Sequence, residues 1–435
     1  DRLANESQRL AQSLGATEGL EGIEAKIEDA AIDLIEATGD EAPIIALVNA
    51  LLAQAAKERA SDIHIEPYDR DMAVRFRIDG VLRSVVNPPK KAQNAIISRV
   101  KVMGGLNIAE KRLPQDGRIR IKLAGKDIDI RLSTTPTIHG ERIVMRLMDK
   151  SATLLDLTDL GFDPDQLQTM QNLIDRPHGI ILVTGPTGSG KTTTLYAALN
   201  RINNPDLNIM TIEDPVEYQL KGVSQTPVNP KIELTFANGL RSFLRQDPDV
   251  IMVGEIRDRE TAEIAIQASL TGHLVFSTVH TNDAPGSITR LVDMGVEPFL
   301  VASSLCAAMA QRLVRVVCKS CRVPHNVTRD ELRSAQIQDE KIDEFMDGTY
   351  FDAHPTGCVT CNGTGYKGRR GIYEMMLVDD AVRAMILKNA DSNSIKKEAQ
   401  RTQGMVLLRE DGVKKASRGI TTIDEVLRVT EEDLG

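Results

Sequence analysis

Apolar and polar positions change their spacing along this chain in a way that divides it into regions. Residues 1–42 are charged and rich in Ala and Glu, with one helical stretch predicted over 23–37. Ile44, Leu47, Val48, Leu51, Leu52 and Ala55 then recur at helical spacing, which predicts an amphipathic helix over 42–60. Apolar and polar residues next alternate over 62–66, 72–78, 118–123, 127–132 and 142–148, the period of strands with one buried face. A helix over 91–103 falls between them, so residues 43–150 read as a small α+β domain.

The period changes again beyond a connection over 151–160. Short apolar runs at 179–184, 207–213, 249–254 and 273–278 predict buried strands, and helices over 234–246 and 258–270 lie between them. Strands and helices in alternation predict a mostly parallel sheet covered on both faces, an α/β domain over 161–316. From Glu297 the small and apolar residues read as one long helix to about Val316. A cysteine-bearing insert over 317–371 and a helical region over 372–435 complete the chain.

Composition narrows the function classes. The chain has 435 residues, too many for one simple core, and 41% of them are hydrophobic. No run of 18 apolar residues occurs, so no membrane-spanning helix is predicted. The net charge is −9, aromatic residues make up 3% and Trp is absent. A sequence-tolerant nucleic-acid binder wants a basic groove with stacking platforms, so no nucleic-acid partner is expected, although local Arg and Lys clusters suit an acidic lipid surface. The first residue is Asp1 rather than Met, and residues 1–42 read as a linker or the remnant of a preceding domain.

Candidate chemistry centres on Gly185-Pro186-Thr187-Gly188-Ser189-Gly190-Lys191-Thr192, followed by Thr193, between the apolar run at 179–184 and a helix-forming run at 192–200. Glycines let successive N–H groups converge on phosphate oxygens, Lys191 suits the β- and γ-phosphates, and the Thr192 hydroxyl suits Mg²⁺. The chain is therefore expected to bind a nucleoside triphosphate with Mg²⁺ at the end of a strand and the start of a helix.

Hydrolysis requires more: a positioned water and positive charge on the departing phosphoryl group. Glu255 follows the apolar strand at 249–254, which puts its carboxylate at the sheet edge as a candidate base. Glu213 and Asp214 end another strand and are candidates to orient the Mg²⁺ shell or the water; capping the next helix is the alternative for Asp214. His273 and His280 flank the strand at 273–278, as γ-phosphate sensors or as structural histidines. Arg131 and Arg146, on neighbouring strands of the first domain, could reach the phosphates across a cleft or line a solvated strand face. Arg241 and Arg245, one helical turn apart, suit a neighbouring subunit's site.

Cys318-x-x-Cys321 and Cys358-x-x-Cys361 form two knuckles with 36 residues between them. Four thiolates at this spacing suit tetrahedral Zn²⁺; two disulfides are the alternative, disfavoured in a reducing compartment. Cys306 reads as a buried apolar side chain within the long helix.

These segments together resemble a known family. The phosphate loop, Thr211-Ile-Glu-Asp-Pro-Val-Glu-Tyr218, Asp249-Val-Ile-Met-Val-Gly-Glu-Ile-Arg-Asp258 and Thr271-Gly-His-Leu-Val-Phe-Ser-Thr-Val-His-Thr-Asn282 resemble the Walker A, Asp, Walker B and His boxes of the bacterial type II/IV secretion ATPase superfamily. Ala60-Ser-Asp-Ile-His-Ile-Glu-Pro67 and Val74-Arg-Phe-Arg-Ile-Asp-Gly80 resemble its second N-terminal domain, and the four cysteines with Gly368-Arg-Arg-Gly-Ile-Tyr-Glu374 resemble its metal domain. The resemblance implies a RecA-like P-loop domain preceded by a small α+β (PAS-like) domain, with a zinc-binding insert and C-terminal helices. It also implies a hexamer on the cytoplasmic face of the inner membrane that couples ATP hydrolysis to assembly of a pilin-like filament. Arg131, Arg146, Arg241 and Arg245 match arginines placed at the family's site. Implied partners are the secretion platform's L protein, through its cytoplasmic domain, and its polytopic F protein, with acidic phospholipid a further candidate. Retraction ATPases lack the four cysteines, which leaves the type II secretion branch, the closer match, and the type IV pilus assembly branch. Outside this resemblance stand a nucleic-acid translocase and a nucleotide switch without turnover.

Overall fold

The computed structural model describes residues 43–123, 126–149 and 155–430, together with a two-residue strand, β1 (Ile32–Asp33). The helical stretch expected at 23–37 otherwise lies outside the described residues, as do residues 151–154 of the connection at 151–160. The chain divides into two compact units, Asp1–Thr153 and Leu154–Gly435.

In the first unit α1 (Pro43–Lys57), β2 (Asp62–Pro67), β3 (Met72–Ile78), β4 (Val81–Val86), α2 (Gln93–Met103), β5 (Gln115–Leu123), β6 (Lys126–Thr137) and β7 (Gly140–Asp149) follow one another. The sheet order is β1-β5-β6-β7-β2-β3-β4, antiparallel except for the β1–β5 pair. Because side chains alternate across a sheet, Ile63, Ile65, Val74, Phe76, Ile119, Ile130 and Met145 join Leu47 and Leu51 of α1 and Ile96 of α2 in one buried core. The opposite face is polar: Arg118, Arg131, Arg146, Asp62 and Arg77 follow one another in register across β5, β6, β7, β2 and β3. Strand β4 was not foreseen, yet its signal is present. Asp79 and Gly80 both take positive φ, 49° and 85°, in the two-residue turn that an Asp-Gly pair favours.

The second unit contains α3 (Pro164–Ile174), β8 (Gly179–Thr184), α4 (Lys191–Ile202), β9 (Ile209–Glu213), β10 (Ser224–Pro227), α5 (Phe236–Phe243), β11 (Val250–Val253), α6 (Arg259–Leu270), β12 (Leu274–Val279), α7 (Ala284–Asp293) and α8 (Pro298–Ser304). It continues with β13 (Leu305–Val317), β14 (Val323–His325), α9 (Arg329–Ser334), α10 (Asp339–Met346), β15 (Tyr350–Asp352), β16 (Tyr366–Leu377), α11 (Asp380–Leu387), α12 (Ser392–Gln403), α13 (Leu408–Ala416) and α14 (Ile423–Val429). Its main sheet runs β10-β9-β11-β12-β8-β13-β16, parallel except for the last pair. The all-buried β8 and β12 are central, as their unbroken apolar runs require.

One expectation is overturned. The long helix to Val316 is instead α8, ending at Ser304, followed by the 13-residue strand β13. Buried on both faces between β8 and β16, a strand needs no alternation, and its Ala- and Met-rich first half carries no strand signal of its own. Cys306 accordingly lies on this strand, half-buried, with Sγ 3.9 Å from the His178 carbonyl. Strand β16 also crosses residue 371, where the cysteine-bearing insert was expected to end.

Candidate phosphate site and cysteine cluster

Parallel β8, β9, β11 and β12 bring their C-terminal ends to one edge of the sheet. From β8 the chain enters the glycine loop, with φ of 144°, 82° and 89° at Gly185, Gly188 and Gly190, and α4 begins at Lys191. Two of these glycines are also sterically required. A Cβ on Gly185 would lie 2.5 Å from the Gln311 carbonyl oxygen, and one on Gly190 2.8 Å from Gln311 Nε2. Strand β13 therefore sets the loop's inner wall, and Thr194 Oγ1 donates to Gln311 Oε1 at 2.8 Å.

The loop's polar groups suit a polyanion. Lys191 Nζ donates to the Gly185 and Pro186 carbonyls at 2.7 and 3.1 Å. Burial pushes its pKa down to about 8, with Arg312 adding to the depression and Glu255 opposing it. Ser189 Oγ is buried with no hydrogen-bond partner. A buried donor without an acceptor and an ammonium resting on loop carbonyls are both groups that phosphate oxygens satisfy.

Glu255 follows β11 at this edge. Arg257 Nη2 donates to its Oε1 at 2.5 Å, and His280 Nε2, from the end of β12, lies 3.3 Å from Oε2. Glu255, His280 and Lys191 thus gather as expected. Arg257 was missed, although it stands two residues beyond Glu255. Gln311 and Arg312 were missed as well; the only trace is a polar pair interrupting an apolar run. Arg312 is buried, donating through Nη2 to the Asn282 carbonyl at 2.8 Å.

The remaining candidates have partners of their own. Glu213 ends β9, but its carboxylate turns into the sheet, accepting from Tyr196 Oη of α4, Thr211 Oγ1 and, at 3.1 Å, Gln225 Nε2. Burial, the Glu213 charge and the hydrogen bond to it all raise the Tyr196 pKa. Asp214, next in the chain, is close enough to Arg257 to raise its pKa, behind the larger effect of the Glu255 hydrogen bond. His273 does not join the cluster. It precedes β12, where its carbonyl accepts from Gly179 N and its Nδ1 lies 2.7 Å from the Ala268 carbonyl, a strand's length from the loop. Arg241 pairs with Glu260 at 2.6 Å on an exposed surface, and Arg245 Nη1 donates to the Arg241 carbonyl at 3.1 Å. In the first unit Arg131 and Arg146 are cross-strand neighbours, and Arg146 Nε donates to Asp62 Oδ1 at 3.0 Å.

The four cysteines come together. Cys318, Cys321, Cys358 and Cys361 place their sulfurs within 4.8 Å of one another, with Cys318–Cys358, Cys321–Cys361 and Cys358–Cys361 at 3.8 Å. Thiolates about 2.3 Å from a tetrahedral Zn²⁺ stand about 3.8 Å apart, whereas a disulfide needs about 2.0 Å. Burial opposes ionisation of Cys361, but N–H groups of Cys358, Gly365 and Thr364 outweigh it and bring the thiol down to about 6. The donor set fits zinc.

Comparison with known proteins agrees with this geometry. Residues 37–428 match the family described as Type II/IV secretion system protein. The chain belongs to that family. Among its relatives is the Type II secretion system ATPase E of Vibrio cholerae, 53% identical over 400 residues, which cover 92% of this chain and 78% of the relative. The Type IV pilus assembly ATPase PilB of Myxococcus xanthus is 52% identical over 410 residues, 94% of this chain and 71% of the relative. Of solved structures, the Legionella pneumophila ATPase DotB aligns with a TM-score of 0.63 at 21% identity, covering 93% of this chain and all of that one. The pilus retraction motor PilT with bound ADP aligns with a TM-score of 0.56 at 25% identity, covering 87% and 95%. The family member described here therefore has the RecA-like α/β fold, with a preceding α+β unit and a four-cysteine cluster. Among the described residues no helix is long and apolar enough to cross a membrane.

Proposed function

We propose that this chain is a secretion ATPase that binds ATP with Mg²⁺ at residues 185–193 and hydrolyses it to drive assembly of a pilin-like filament for type II secretion. The observation carrying this reading is the Glu255 carboxylate, held between His280 and Arg257 at the sheet edge that bears the glycine loop. A carboxylate fixed from both sides can orient water for attack, with His280 placed to register the γ-phosphate. Bound Mg²⁺ would supply charge to the phosphate oxygens, held by Thr192 and Asp214. Glu213 supports the edge from beneath through Tyr196 rather than meeting the nucleotide.

Arg241 and Arg245 supply positive charge to the site of a neighbouring copy, and the working form is a hexamer. It acts on the cytoplasmic face of the inner membrane with the platform's L and F proteins and acidic phospholipid. Zn²⁺ bound by Cys318, Cys321, Cys358 and Cys361 would hold the insert rigid. Type IV pilus assembly is the second reading, favoured by the 52% identity to PilB.

The test is steady-state ATPase activity against protein concentration. Activity per chain that climbs and saturates supports sites completed between copies. Activity per chain independent of concentration contradicts that part, and bound ATP without turnover at any concentration contradicts the hydrolytic reading.

A further inference from the structure

Glu374 is a carboxylate that the proposed reaction does not use, only 3% exposed on β16 opposite Ala310. Burying an anion is costly unless hydrogen bonds replace the lost water, and here two backbone donors do so. Oε1 accepts from Ala284 N, at the start of α7, at 2.9 Å, and Oε2 accepts from Leu408 N, at the start of α13, at 3.4 Å. One side chain thereby joins the segment after His280 to the C-terminal helices.

That segment is fastened at each residue between the hydrolytic cluster and Glu374. Thr281 N donates to Thr184 Oγ1 at 2.8 Å, tying the turn to the residue before Gly185. The Asn282 carbonyl accepts from buried Arg312. Asp283 caps α7 through Gly286 N at 2.8 Å and pairs with Lys396 of α12 at 2.6 Å. Glu374 is the last anchor, and the only one of these that also grips α13.

We propose that Glu374 is a positioning residue for ATP hydrolysis, holding the 280–284 turn so that His280 stays on Glu255, and that it links this turn to the C-terminal helices. The inference rests on the hydrolytic reading above. It acts on turnover and not on nucleotide binding, because the glycine loop is walled by Gln311 and Arg312 of β13 rather than by this carboxylate. The anion can accept both N–H groups, whereas the neutral acid retains one good acceptor oxygen. Burial raises its pKa to about 7, opposed by the Ala284 N–H, with Asp283 raising it further and Lys396 and the Leu408 N–H lowering it. Protonation as pH falls through about 7 should then loosen the turn.

The experiment compares full-length wild type with Glu374→Gln and Glu374→Ala, measuring kcat, KM for ATP, binding of a fluorescent ATP analogue and thermal melting across pH 6–8.5. Gln keeps the shape but accepts through one oxygen only. Expected are a kcat at least tenfold lower in Glu374→Gln with KM and analogue affinity within twofold, and loss of the wild type's decline in kcat below about pH 7. A variant with wild-type kcat, or one losing kcat and affinity in parallel, overturns the proposal. Should both variants fail to fold, the wild-type profile decides: a decline in kcat below pH 7 at constant affinity supports it, and a flat profile overturns it. A wild type without any turnover refutes the hydrolytic reading itself, a different failure.

Discussion

Replacing Tyr196 by Phe removes one oxygen atom from beneath the phosphate site, and the structure gives the size of the effect. The hydroxyl donates to Glu213 and accepts from Glu217 N at 3.2 Å and Gln225 Nε2 at 3.4 Å. The ring stays buried among apolar neighbours and edge-on to Tyr218 at 5.3 Å, so Phe fills the same volume. What is lost is one hydrogen bond to a charged group, about 1.5–3 kcal/mol, because Glu213 keeps Thr211 and Gln225. The longer bonds to Glu217 and Gln225 add little. A total of about 2–3 kcal/mol lowers melting by about 4–10 °C for a unit of this size. Differential scanning fluorimetry of the two proteins, without nucleotide, reads this directly. A melting temperature within about 1 °C of wild type would refute the reasoning and return Glu213 to the role of a carboxylate facing the nucleotide.

Two further outcomes follow from the same geometry. ATP affinity should be highest below about pH 8 and fall as pH rises through that value, because Lys191 loses its proton there in the empty site while phosphate binds the charged form; a dissociation constant flat from pH 7 to 9.5 contradicts this. The purified chain should carry one zinc, released on thiol modification and absent from Cys361→Ser, with melting lowered on chelation; a zinc-free protein with four blocked thiols would contradict the cluster.

The strands of the nucleotide-binding sheet were legible because buried parallel strands are short, apolar and followed by the loops that hold their chemistry. The glycine loop, Glu255 and His280 could be read for that reason. Strand β13 could not, because a strand covered on both faces loses its period-two signal and its alanines read as helix. With β13 went Gln311 and Arg312, which meet the loop only through a strand pairing that joins residues far apart in sequence. Glu213 and His273 illustrate the other limit: a strand end shows where a residue sits along the sheet, but not which way its side chain turns. For His273 even the end was the wrong one, since it precedes the strand whose far end carries His280. The cysteines were legible as a set from their spacing, and their 3.8 Å sulfur separations suit a shared metal and are longer than a disulfide bond.

The central claim is that Glu255 drives water attack at a site that binds ATP independently of it. The most direct measurement is ATP turnover beside ATP binding in Glu255→Gln, at a concentration where wild type is fully active. The account predicts at least a hundredfold loss of kcat with ATP affinity within a few fold of wild type, since Gln keeps the side chain's shape beside the loop and removes the base. Turnover within a few fold of wild type would contradict it.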